Sequence, residues 1–138
     1  MSTLAARSRL SALVLALLVV STAVAAETPD SKPSVVEATL MPKFCWKQFL
    51  GPKFSGPGYY IPPKTCGYVT NHYCPGLIDL SRANRTIGNE RRRRDALLSA
   101  RTNVLYTLRG IKGYPNCPIR AHVEATLRVI NRELNAIR

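Results

Sequence analysis

Four cysteines carry the clearest covalent chemistry in this chain: Cys45, Cys66, Cys74 and Cys117. An even count in a small exported domain is typical of a disulfide framework, so we predict two disulfides. Cys74 is expected just before the first of three antiparallel helices and Cys117 just before the third, which places both at one end of the bundle. We therefore predict the bonds Cys74–Cys117 and Cys45–Cys66, with Cys66–Cys74 as the main competing pair.

A zinc site is the alternative use of these thiols. His72 stands two positions before Cys74 and could complete a ligand set with the cysteines. The four cysteines form no Cys-x-x-Cys pair, however, and an oxidising compartment favours disulfides over thiolate ligands. The sequence therefore predicts neither a metal nor another cofactor.

His72 also suggests the alternative function, a small secreted hydrolase. Its place between Cys66 and Cys74 is similar to that of the histidine in secreted phospholipases A2, which lies on a helix among disulfide cysteines. That family has an aspartate after the histidine and a glycine-rich calcium loop before it, whereas here Tyr73 follows and no such loop precedes. Activation of water needs a carboxylate or a metal, so we predict no catalytic residues. The other histidine, His122, is expected to be structural.

Arginines provide the candidate binding chemistry. Four of them are consecutive at the start of a predicted helix, where the helix dipole disfavours cations, and such local conflicts are common at functional sites. The predicted basic patch comprises Arg82, Arg85, Arg91, Arg92, Arg93 and Arg94. A solvated helix surface is the alternative interpretation of the run, because consecutive helical side chains radiate in different directions.

The overall charge favours acidic partners. The chain carries 20 basic and 8 acidic residues, a net charge of +12, and loss of Arg7 and Arg9 with a signal segment would leave +10. Such a domain is attracted to anionic surfaces, namely an acidic protein or an envelope component such as a lipid headgroup or glycan. Export and the lack of a recognised motif make nucleic acid an unlikely partner.

The N-terminal residues indicate export. Residues 10–20 are nearly all apolar, follow two arginines and lead to small residues ending at Ala26. The run is shorter than the about 20 residues that span a bilayer, so a signal peptide (1–26) cleaved near Ala26 is favoured over a membrane anchor. We predict a periplasmic or secreted protein with no transmembrane span in its mature form.

Two segments precede the helices. Residues 27–40 are polar and contain proline, which predicts a flexible linker. Residues 41–74 are rich in proline, glycine and aromatic residues and predict an irregular, disulfide-tied region that covers the helical core. An aromatic binding surface is the alternative. The aromatic residues are Phe44, Trp46, Phe49, Phe54, Tyr59 and Tyr60.

Residues 75–138 predict three antiparallel helices. The last has apolar residues at helical spacing from Ile119 to Ile137. The middle helix is expected to begin at the N-cap Asn89 and to end near Gly110, with an apolar stripe that includes Leu97 and Val104. The first is expected to begin at Pro75, which suits a first turn.

Parts of this region resemble tetratricopeptide-type repeats, and especially a group of small uncharacterised bacterial exported proteins related to them. The segments that carry the resemblance are 71–77, 80–85, 88–91 and 106–109. The resemblance implies an interaction module and not an enzyme. We therefore expect an all-α, tetratricopeptide-like domain of three short helices that binds a protein or an anionic envelope component without catalysis.

Overall fold

Six α-helices make up most of the computed structural model, which describes residues 32–59, 61–68 and 70–137. They are α1 (Val35–Thr39), α2 (Trp46–Leu50), α3 (Pro63–Cys66), α4 (Thr70–Arg85), α5 (Glu90–Gly110) and α6 (Arg120–Ala136). Short 3-10 turns occupy 43–45, 52–54 and 111–113, and the described part of the chain contains no strand. The predicted all-α class is confirmed. The predicted signal peptide lies outside the described residues.

Helices α4, α5 and α6 run antiparallel in sequence order. His72 near the start of α4 contacts Tyr106 near the end of α5, whereas Asp79 further along α4 contacts Ser99. At the other junction, Arg93 at the start of α5 pairs with Glu133 at the end of α6. The three-helix arrangement therefore has the predicted up-down-up order, with α5 in contact with both other helices.

Local signals set the bounds of α5 as expected. The Asn89 side chain accepts a hydrogen bond from the Arg92 backbone N–H at 2.9 Å, which caps the first turn. At the other end, the Arg120 guanidinium donates to the carbonyls of Ile111 and Tyr114 at 2.7 and 3.1 Å. These carbonyls follow the last turn of α5, so a cation there is favourable.

The buried core confirms most of the predicted apolar stripes. Its fully enclosed members on α5 and α6 are Leu97, Ala100, Val104, Val123 and Ile130. Leu98, the neighbour of Leu97 on α5, is instead exposed.

The first long helix begins five residues earlier than predicted, so Pro75 lies inside α4 and not in its first turn. A proline has no N–H to donate to the carbonyl four residues before it, which here belongs to Asn71. The Gln48 side chain supplies the missing donor, with its Nε2 at 2.9 Å from that carbonyl oxygen. The interruption in α4 thus becomes a point of attachment for α2.

The observed disulfides are Cys45–Cys74 and Cys66–Cys117, with Cα–Cα distances of 5.5 and 4.9 Å. Both predicted bonds, Cys74–Cys117 and Cys45–Cys66, are wrong, and so is the competing pair. The cysteine that precedes the first long helix does bond the cysteine that precedes the third. Because α4 begins earlier than predicted, the first of these cysteines is Cys66 and not Cys74. Cys74 is instead buried within α4, facing the N-terminal region. Each bond closes a long loop and contributes about 4 kcal/mol on the chain-entropy model.

Part of the predicted linker is ordered. Ser34 and Glu37 form a capping box at the start of α1, and Glu37 is only 4% exposed. The structure therefore differs from a flexible linker over 35–39, because a buried carboxylate holds this helix against the bundle. Residues 27–31 lie outside the described part.

The aromatic region divides into two groups. Phe44 and Phe49 pack against the core, and Phe44 stacks on buried Tyr73, as expected of a cover. A second group, formed by Trp46, Phe54 and Tyr59, packs on itself with ring centroids 5.4 to 5.7 Å apart. Tyr60 lies outside the described residues.

A polar network joins α4 to α6. The buried Tyr73 hydroxyl lies 2.8 Å from Thr126 Oγ1 and also hydrogen-bonds His122 Nδ1. Burial raises the pKa of Tyr73 to about 12. His122 thus has the structural partner that we predicted, although the residue itself is exposed and not partly buried.

Gly76 permits the close approach of α4 to α5. A Cβ there would lie 3.0 Å from Asn103 Cβ, 3.2 Å from Val104 Cγ2 and 3.3 Å from the Ala100 carbonyl oxygen. Backbone and buried side chains on α5 cannot move aside without shifting the helix.

We predict that Gly76→Ala lowers the free energy of unfolding by about 1 to 3 kcal/mol through this overpacking. Gly113→Ala is the matched control, because a Cβ there meets nothing within 4 Å. Urea unfolding with the disulfides intact measures both. Equal stability of the two variants would contradict the packing argument.

Peptide mapping tests the disulfides, provided that two proteases are used. Cys66 and Cys74 lie on one tryptic peptide, since no lysine or arginine stands between them. Trypsin alone therefore gives the same linked peptides for the observed pairing and for the one predicted from sequence. Chymotryptic cleavage after Tyr68 separates the two cysteines. We expect the Cys66 fragment to be linked to Cys117 and the Cys74 fragment to Cys45.

Candidate functional site

Glu37 of α1 binds two members of the predicted basic patch. Its Oε1 accepts from Arg82 Nε at 2.9 Å and from Arg85 Nη2 at 2.6 Å, and its Oε2 accepts from Arg82 Nη2 at 3.2 Å. The Ser34 backbone N–H also donates to Oε2, at 3.0 Å. The fork geometry of Arg82 on a carboxylate is the strongest form of this contact.

These contacts lower the pKa of Glu37 from its ordinary value of 4.5 to about 2. The Arg82 hydrogen bonds are the main cause, and those from Ser34 and Arg85 act in the same direction, whereas burial opposes them. Glu37 thus stays ionised in the folded protein under all but strongly acidic conditions.

Arg82 and Arg85 differ in how much of the side chain is exposed to solvent. The Arg82 side chain is 11% exposed and acts mainly as a structural partner of Glu37. The Arg85 side chain is 49% exposed and presents part of its guanidinium to solvent while it contacts the same carboxylate. The predicted patch therefore contains an arginine whose first role is to hold α1 in place.

The four consecutive arginines point in different directions. Arg93 turns towards α6 and donates to Glu133 Oε2 at 2.5 Å. Arg91, Arg92 and Arg94 are exposed. The geometric expectation that the run cannot face one ligand together is confirmed.

Arg82, Arg85 and Arg92 line one open groove beside the connection between α4 and α5, which we call the turn groove. Its volume is about 400 Å³. The residues that line it are Ser34, Glu37, Arg82, Arg85, Thr86, Ile87, Asn89 and Arg92. Among the described residues that line the groove, three are arginines and one is a glutamate, so this surface suits an anionic group. Arg93 lines a second pocket beside the same connection, together with Asn84 and Gly88.

Four residues of this groove were not predicted from sequence: Ser34, Glu37, Thr86 and Ile87. The Ser-x-x-Glu spacing of a capping box was present as a signal for Ser34 and Glu37. No local signal pairs Glu37 with arginines 45 and 48 positions away.

The His72 side chain contacts two side chains of α5. Its Nδ1 lies 3.2 Å from Asn103 Oδ1, and its ring packs on Tyr106 with centroids 4.0 Å apart. Neither neighbour offers a carboxylate that could orient the imidazole as a base.

Asn103 also lines a second cavity, which has a volume of about 350 Å³. This cavity lies between residues 32–33, which precede α1, and helices α2, α4 and α5. Buried Asp79 lines it, and the Ser99 hydroxyl donates to Asp79 Oδ2 at 2.7 Å. This hydrogen bond joins α5 to a buried carboxylate of α4.

Among residues 32–59, 61–68 and 70–137, no three His, Cys, Asp or Glu side chains are grouped as metal ligands would be. In the described part of the chain, no helix has the length and apolar character needed to cross a bilayer.

No protein-family model, curated protein or solved structure matches this chain. The resemblance to tetratricopeptide-type exported proteins therefore stays a prediction from sequence. The helical hairpin α4–α5 and the two disulfides are consistent with an exported helical domain.

We predict that stability decreases in acid because of Glu37. Its pKa is lowered on folding, so its contribution is complete above about pH 5 and is lost as the pH falls towards 2. Glu37→Gln should remove this dependence and lower the free energy of unfolding at pH 7 by about 3 kcal/mol.

Chemical unfolding at a series of pH values measures this effect. Asp95→Asn, which neutralises an exposed carboxylate on α5, is the control and should change stability by less than about 0.5 kcal/mol. An unchanged acid dependence in Glu37→Gln would contradict the role of this ion pair.

Proposed function

We propose that this protein is an exported, non-catalytic interaction module that binds an acidic partner, either a protein or an anionic envelope component. The contact surface is the turn groove together with the exposed arginines at the start of α5. The observation that carries the proposal is the gathering of Arg82, Arg85 and Arg92 around one open groove, whose described lining includes one carboxylate.

The internal ion pairs support this surface rather than cancel it. Glu37 binds Arg82 and Arg85, and Glu133 binds Arg93. Arg91, Arg92 and Arg94 remain exposed to solvent, and Arg85 is half exposed. Guanidinium groups on a partly rigid framework bind carboxylates and phosphates with less loss of side-chain freedom than mobile lysines do.

The export-related features support the same proposal. Two disulfides stabilise small domains in oxidising compartments, where acidic lipids, glycans and proteins are available as partners. The high net charge favours fast association with any of them.

We predict that Arg91→Glu/Arg92→Glu weakens binding to a soluble acidic polymer, fluorescently labelled polyglutamate, by about tenfold or more at low salt. Each arginine near an anionic surface contributes about 1 kcal/mol, and charge reversal adds repulsion. Fluorescence anisotropy measures the affinity.

Lys64→Glu/Lys112→Glu is the matched control for charge. Both lysines are exposed, Lys64 on α3 and Lys112 just after α5, near the end of the bundle opposite the turn groove. Replacing two lysines with glutamate changes the net charge by the same amount as replacing two arginines does. We expect it to weaken binding by less than about threefold. An equal loss in both variants would contradict a localised site, because binding would then follow net charge alone.

A further inference from the structure

Ile87 is the most exposed large apolar residue in the described part of the chain, at 92% exposure. It stands in the connection between α4 and α5, where neighbouring side chains cover almost none of it. A single exposed apolar residue is ordinary on a protein surface. Its surroundings make this one informative.

The backbone on either side of Ile87 is tied in place. The Thr86 N–H and hydroxyl donate to the carbonyls of Ala83 and Arg82 at 3.2 and 2.9 Å. On the other side, Gly88 has a φ of +74°, which favours glycine, and Asn89 caps α5. Ile87 is therefore presented at the tip of a tight connection with hydrogen-bonded flanks.

Two more apolar residues are exposed on α1. Val35 and Val36 are 69% and 68% exposed, and they stand between Ser34 and Glu37, whose side of the helix lines the turn groove. Successive helical residues point about 100° apart, so Val35 and Val36 face away from that side. Among the described residues that line the groove, Ile87 is the apolar one, and it shares the groove with three arginines.

We propose that this end of the bundle docks on an anionic lipid bilayer surface, with Ile87 inserted among the headgroups and the arginines bound to lipid phosphates. The inference rests on the proposed function and names its partner. Arg85, Arg91 and Arg92 lie close to Ile87 in the chain, so cations and the apolar tip reach the surface together.

The geometry favours a bilayer over an acidic protein. Interfaces between proteins bury a contiguous apolar patch in a complementary surface. Here the apolar side chains are separated, and the most exposed one is at a protruding tip beside cations. A headgroup layer accommodates such a tip by local rearrangement, and the combination of apolar insertion with arginine–phosphate attraction is how interfacial segments bind anionic membranes.

The test uses the mature, oxidised protein and two kinds of vesicle, mixed phosphatidylcholine–phosphatidylglycerol and pure phosphatidylcholine. We expect binding to the mixed vesicles and little to the neutral ones. Ile87→Ser should weaken binding to the mixed vesicles by about tenfold, as expected when an isoleucine side chain that becomes buried on binding is lost. Co-sedimentation measures vesicle binding.

Tyr68→Ser is the matched control. Tyr68 is 77% exposed, but it follows Cys66 and so lies near the other end of the bundle. This variant should bind mixed vesicles as the native protein does. Far-ultraviolet circular dichroism checks that each variant is folded.

The outcomes separate the inference from the proposed function. If Ile87→Ser binds mixed vesicles as tightly as the native protein, or if Tyr68→Ser loses as much, the insertion is contradicted. If the native protein binds polyglutamate but not the mixed vesicles, the partner is an acidic molecule and not a bilayer. If Arg91→Glu/Arg92→Glu still binds polyglutamate at native affinity, the proposed function itself fails.

Discussion

The close contact of α4 with α5 at Gly76 is the constraint on which the rest of the structure depends. Because no side chain separates the helices there, Asp79 reaches Ser99 and His72 reaches Asn103 across the same interface. Helix α4 also carries Cys74, Tyr73 and the two arginines that hold α1. The N-terminal region and α6 are therefore both attached to a helix whose position is set by packing against α5.

The ion pairs of Glu37 fix the positions of Arg82 and Arg85 and so help to form the turn groove. A buried carboxylate is costly unless it is paired and hydrogen-bonded, and here Arg82 provides the main compensation. The same pairing brings α1 beside the connection between α4 and α5. Without it, Ser34 and Glu37 would not line the turn groove.

Some features of the site followed from local sequence, and others did not. The Asn89 cap and the divergence of Arg91 to Arg94 are properties of one helix, so helical geometry alone predicted them. The different roles of the arginines depend on partners that lie on other helices. Arg93 pairs with a residue 40 positions away, and Arg82 with one 45 positions away.

The sequence by itself determined an all-α chain, the apolar faces of its long helices and the even set of cysteines. Periodicity and capping are short-range, so they can be recognised without coordinates. Tertiary structure alone decided which cysteines pair and which arginines stay exposed. The early start of α4 moved Cys74 inside the helix and left Cys66 before it, because Gln48 satisfies the carbonyl that Pro75 leaves without a donor. That donor comes from a distant segment, and no local pattern could have supplied it.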